Sequence, residues 1–209
     1  AGGVPGSIGV VDGDGAIPYT PEAAATKQEN AANWIDRDPE LKCYLPGIPR
    51  AMYMPYPFQI VQTSRNVEFL YEYVHAVRHI FMTGEHPEGH IDWFMGDSRG
   101  RWEGDTLVVE TTNFVDRPAF RRGTGNMTVT ERFRMESADK LIYSFTVEDP
   151  TVWTAPFTGE YAWPRSANKV FEYACHEANY ALTGIMHGAR LLEADFRGEE
   201  PEGVANPTR

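Results

Sequence analysis

The chain has 209 residues, 42% apolar and 12% aromatic, enough to bury the core of one large domain. Its formal net charge of −11 repels phosphate backbones and anionic lipid surfaces, which argues against nucleic-acid and membrane-surface partners. No apolar run approaches the roughly 18–20 residues of a membrane-spanning helix, so no membrane span is expected.

The chain begins at Ala1, and its first 15 residues are rich in Gly and small side chains. That is the pattern of a chain whose signal peptide has been removed, and it predicts a periplasmic or secreted protein. Residues 1–19 show no apolar period and read as an extended arm. Thr20-Pro21-Glu22 is a helix start: a capping hydroxyl, a Pro in the first turn and an acid at the positive end. Helix formers run from Ala23 to Trp34, and Asp38-Pro39 stops them. Pro46, Pro49, Pro55 and Pro57 then make a stiff, irregular connector over residues 43–57.

After Pro57 the period changes to two. Strands are predicted at Phe58 to Thr63, Val67 to Tyr73 and Val77 to Met82, then at Asp92 to Trp102 with an interruption near Gly96 or Gly100. Gly104-Asp105 is a hairpin turn leading into Leu107-Val108-Val109. Met127 to Met135 and Leu141 to Val147 form a further pair, and Phe157 to Trp163 with Val170 to Cys175 a last hairpin. Leu182, Ile185, Met186, Ala189 and Leu192 lie on one face of a helix over residues 177–196 that packs on the sheet.

Short links make consecutive strands antiparallel, and an up-and-down meander of eight or nine strands removes its edges by closing. The predicted fold is therefore mainly β: a lipocalin-like barrel with an N-terminal arm and helix and a C-terminal helix. The arm and helix occupy residues 1–42, the barrel and last helix 43–196, and a loose tail 197–209.

Four segments carry a resemblance: Cys43 to Arg50, Pro57 to Ile60, the run Gly100 to Thr111 (Gly-Arg-Trp-Glu-Gly-Asp-Thr-Leu-Val-Val-Glu-Thr) and Tyr173 to Glu177. Together they resemble a large group of uncharacterised exported bacterial proteins, over roughly residues 38–195. The resemblance implies export and a β-rich fold and supplies no activity. Both cysteines fall inside its motifs. An even count in an exported chain also predicts one disulfide, Cys43 to Cys175, the alternative being two separate buried thiols.

The densest polar group is Glu72, His75, Arg78, His79, His86 and His90. Imidazole moves protons near neutral pH, so His75 and His79 with Glu72 are the first acid–base candidates, and His176 beside Glu177 the next. The plainer alternatives are a helix cap at His176-Glu177 and loop positions for His86 and His90. No metal-ligand spacing, phosphate loop or dinucleotide fingerprint is present, so neither metal nor cofactor is expected. Arg99 and Arg101 either clamp an acidic ligand or pair with Asp97 and Glu103 on a wet face. Glu131, Arg132, Arg134, Glu148 and Asp149 read as a solvent face or, alternatively, as a charged cavity lining. Tyr71, Tyr73, Arg78, Trp93 and Trp102 complete the ligand-binding candidates. Tyr53, Tyr56, Phe69 and Phe133 could line a pocket or fill the core.

Three functions follow. The first is an exported barrel binding a small apolar or aromatic molecule. The second is a hydrolase, lyase or isomerase working by His/Glu acid–base chemistry in the barrel cavity. The third is a homo-oligomer or envelope complex assembled through the N-terminal arm.

Overall fold

The computed structural model of the chain describes residues 10–88, 91–116, 124–175 and 181–198. Described residues up to Ala174 form one compact unit and those from Cys175 a second. In the first unit, α1 spans Pro21–Ala32, and the Thr20 hydroxyl accepts from the Ala23 amide at 3.3 Å, as the capping pattern requires. α2 (Trp34–Arg37) follows directly, and a 3-10 turn (Pro39–Lys42) opens at Asp38. α3 (Arg50–Tyr53) is a single turn inside the Pro-rich connector.

The strands are β1 (Phe58–Gln62), β2 (Asn66–Tyr71), β3 (Val77–Phe81), β4 (Asp97–Glu103), β5 (Thr106–Thr112), β6 (Thr128–Ser137), β7 (Lys140–Glu148) and β8 (Phe157–Pro164). They form one eight-stranded sheet in sequence order. Laid flat, β1 and β8 would stand about 33 Å apart, at roughly 4.8 Å per strand spacing. Yet the Phe58 ring of β1 meets the Trp163 ring of β8 edge-on at 5.2 Å, and Phe69 of β2 meets Phe133 of β6 at 5.2 Å. The sheet is therefore curled into a half-barrel. Its concave face is filled by Val67, Phe69, Ile80, Val109, Val129, Phe133, Tyr143 and Phe145, and by Ile48 and Met52 from the connector.

Three expectations are corrected. First, the barrel does not close by hydrogen bonding: among the described residues β1 pairs only with β2, and the sheet ends at β8. Second, β3 and β4 run parallel, through Ile80↔Ser98 and Phe81↔Arg99. The connection continues past Gly89 to Gly96, long enough to bring the chain back to the start of a parallel neighbour. The two strands approach tightly at Gly100, where a Cβ would lie 2.7 Å from Ile80 Cγ2 and 2.8 Å from Met82 Sδ. Third, residues 170–175 are not a strand. Their Phe171 and Tyr173 amides donate to the side chains of Glu72 (2.8 Å) and His75 (3.3 Å) instead of to β8.

Residues from Val10 lie on the chain's own sheet. Val10 bridges Gly159, the Val11 amide donates to Thr158 O at 3.0 Å, and Tyr19 bridges Trp153. Residues 1–9 of the predicted arm lie outside the described residues. In the second unit, α4 spans Ala181–Arg197. No helix among the described residues is long and apolar enough to cross a membrane.

Cys43 and Cys175, the chain's two cysteines, are joined in a disulfide. The bond closes a loop of roughly 130 residues, which a chain-entropy model values at about 5 kcal/mol. Urea denaturation of a Cys43→Ser/Cys175→Ser variant should therefore show stability falling by about 2–5 kcal/mol relative to the oxidised protein.

Candidate functional site

Alternation along β3 turns Arg78 and Ile80 inward and leaves Val77, His79 and Phe81 exposed. Arg78 is thus carried into the core, where it is 2% exposed. Its partner is Glu131, fully buried on β6 between the inward residues Val129 and Phe133. Arg78 Nη1 donates to Glu131 Oε1 at 3.1 Å, and Nη2 donates to Glu131 Oε2. Nε donates to Ser98 Oγ at 3.0 Å, and Nη2 also donates to Thr111 Oγ1 at 2.8 Å. The Tyr143 hydroxyl donates to Glu131 Oε1 at 2.9 Å. Burial works to lower the guanidinium's pKa, and the Glu131 carboxylate together with Tyr71 and Tyr143 outweighs it, holding the pKa above its ordinary value. Burial, reinforced by the Glu131 charge, pushes the Tyr143 phenol well up, and burial also raises Tyr71. This cluster is internally satisfied and structural in character.

Beside the core lies an open cleft of about 1230 Å³, at the seam between β1 and β8. Ligand pockets for drug-sized molecules run about 300–1,000 Å³. Met52, Tyr53 and Tyr56 of the connector, Phe58 of β1 and Tyr161 and Trp163 of β8 line it. Tyr53 stacks on Tyr161 at 5.9 Å, and Trp163 stacks on Tyr143 at 4.6 Å. The aromatic lining is thus continuous with the ring array of the core. Ile60 and Met135 line the cleft too and stay 41% and 53% exposed, so apolar surface there is uncovered. Lys140, Arg165 and Lys169 bring positive charge to the same lining, against a single acid, Asp139.

The structure distributes the sequence candidates over several places. Tyr71 is buried and donates to Met52 Sδ at 2.8 Å, which supports the cleft from below. Tyr73 is buried and donates to Tyr44 O at 3.1 Å. Glu72 and His75 accept the Phe171 and Tyr173 amides, so both hold the segment that follows the cleft-lining residues 165–170. His79 is exposed and pairs with Glu68 at 2.5 Å, so the rings of His75 and His79 have separate partners. Trp93 bridges Phe114 by backbone, and Trp102 is half exposed; neither lines the cleft. Arg99 binds Asp97 (2.6 Å) and lies 4.7 Å over the Phe81 ring, and Arg101 pairs with Glu103 at 2.8 Å. His176 and His90 lie outside the described residues. Among the described residues, no group of three or more His, Cys, Asp or Glu is arranged to hold a metal ion.

Two features escaped the sequence reading. One is the pairing of His86, expected only as a loop residue: its Nδ1 sits 2.7 Å from the buried Asp97 carboxylate while Nε2 faces Glu110 at 3.4 Å. It clasps the β3–β4 connection to the sheet. The other is the cationic part of the cleft. Its signal is the spacing Lys140, Arg165, Lys169 around a Pro164 paired with Lys140, which is readable only once the β7–β8 register is known.

Replacing Glu131 with Leu strands a buried guanidinium and should cost about 3–5 kcal/mol in urea denaturation; Arg78→Met/Glu131→Leu together should cost less than Glu131→Leu alone. Raised folded-state phenol pKa values give stability that is full below the unfolded value near 10 and lost as pH rises above it. Stability should therefore decline above about pH 10, and Tyr71→Phe/Tyr143→Phe should flatten that decline in denaturation curves taken against pH. Comparison with protein-family models, with curated proteins and with solved structures gave no match for this chain.

Proposed function

We propose that this chain is an exported binding protein that takes a small apolar or aromatic molecule into the seam cleft. The observation that carries this reading is an open volume of about 1230 Å³ walled by Tyr53, Tyr56, Phe58, Tyr161 and Trp163, beside a core that side chains otherwise fill. A flat ring inserted there gains offset or edge contacts worth about 0.5–1.5 kcal/mol each beyond the area it buries. The mode is lipocalin-like in using a curled, mostly antiparallel sheet, with the ligand at an unclosed seam in place of a closed interior. Export is supported by the resemblance of the Gly100 to Thr111 run and by a disulfide, a bond that persists in oxidising compartments.

The test is a titration with N-phenyl-1-naphthylamine, a neutral aromatic probe that fluoresces when shielded from water. Binding should be saturable and accompanied by quenching of tryptophan emission. Ile60→Thr/Met135→Gln, both at exposed cleft positions, should weaken it by roughly tenfold with the circular dichroism spectrum unchanged. Absence of saturable binding, or binding indifferent to that variant, would overturn the reading.

A further inference from the structure

We propose that the molecule held in the seam cleft is an organic anion: an apolar or aromatic body bearing one acidic group, which Lys140, Arg165 and Lys169 receive. This rests on the cleft being the binding site and adds the charge class of the ligand.

The argument starts from an imbalance. The chain carries 30 acidic residues against 19 Lys and Arg, so a random surface patch is net negative. The cleft lining reverses this, with Lys140, Arg165 and Lys169 set against Asp139 alone. The fold assembles two of these cations at one place. Lys140 opens β7 opposite Pro164, the last residue of β8, and the next amide, that of Arg165, donates to Asp139 O at 2.8 Å. Lys169 follows on the segment that lines the same cleft.

These charges are only lightly neutralised. Arg165 reaches Asp139 at 3.9 Å, with both side chains about three-quarters exposed. Such a pair is worth little in water. Lys140 pairs with Glu136 at 2.6 Å across exposed surface. Lys169 has no ion pair among the described residues. Trp163, in the aromatic lining, stands two residues before Arg165. An acid whose ring lies on Trp163 and Tyr161 therefore has its charged end within reach of the cations. A cleft of one sign on an oppositely charged protein also concentrates the matching ligand from solution.

Two probes with the same ring body separate the cases: neutral N-phenyl-1-naphthylamine and anionic 8-anilinonaphthalene-1-sulfonate. Each exposed charge contact is worth up to about fivefold, so the anion should bind roughly tenfold tighter at about 20 mM salt. That preference should vanish at about 0.5 M salt, and in Lys140→Gln/Arg165→Gln/Lys169→Gln. The neutral probe should bind wild type and variant alike within about twofold. Arg165 and Lys169 are exposed and Lys140 is partly exposed at the start of its strand, so the variant should keep its fold, with circular dichroism as the check. Equal affinity for the two probes, or an anion preference that survives the triple variant, would overturn the charge assignment and leave the cleft standing. Failure of both probes to bind would instead overturn the cleft itself.

Discussion

The buried pair Arg78–Glu131 constrains the fold more than any other contact. The pair and its three hydroxyl partners come one from each of five successive strands: Arg78 from β3, Ser98 from β4, Thr111 from β5, Glu131 from β6 and Tyr143 from β7. On a flat sheet β3 and β6 would stand about 14 Å apart with parallel side chains. Contact between them needs the curl. A shift of one residue in any of these strands would turn a member of the cluster out to water, and a shift in β3 or β6 would leave a charge unpaired inside. The net contribution of such a pair to stability is small. Its effect is to penalise wrong registers.

The curl in turn decides where a cleft can lie. The concave face is filled, and the cleft lies where hydrogen bonding stops, between β1 and β8. An open sheet must also protect its edges. Here the chain uses itself. Val10 and Val11 cover the Phe157–Gly159 part of β8, while the far part, Tyr161 to Pro164, borders the cleft. One edge is thus divided between a structural use and an open one.

Much of the fold was legible because it is local. The Thr20 cap, the Gly104-Asp105 hairpin and the alternation of β6 and β7 each depend on a few neighbouring residues. Even Glu131 carried a signal, since it shares its parity with Val129 and Phe133, whereas Arg132 and Arg134 alternate to the exposed side. Reading Glu131 and the four charges grouped with it as one face merged two faces. What could not be read was non-local. The partner of Arg78 lies 53 residues away, and the parallel β3–β4 pairing depends on where a long connection ends. Tyr53 and Tyr56 could be named as pocket candidates from composition, while the three cations could not, because their proximity follows from the β7–β8 register and the path after Pro164.

That path has a mechanical consequence. Between Pro164 and Cys175 the backbone joins no strand, and it is fastened at the Glu72 and His75 side chains and by the covalent bond to Cys43. It is a cord of fixed contour length, about 35 Å when drawn straight. The cleft is bordered by stiff sheet, by the connector and by this cord. Side-chain tethers can let go without disturbing a single ladder hydrogen bond. The opening can then widen, up to a limit set by the number of residues between two anchors.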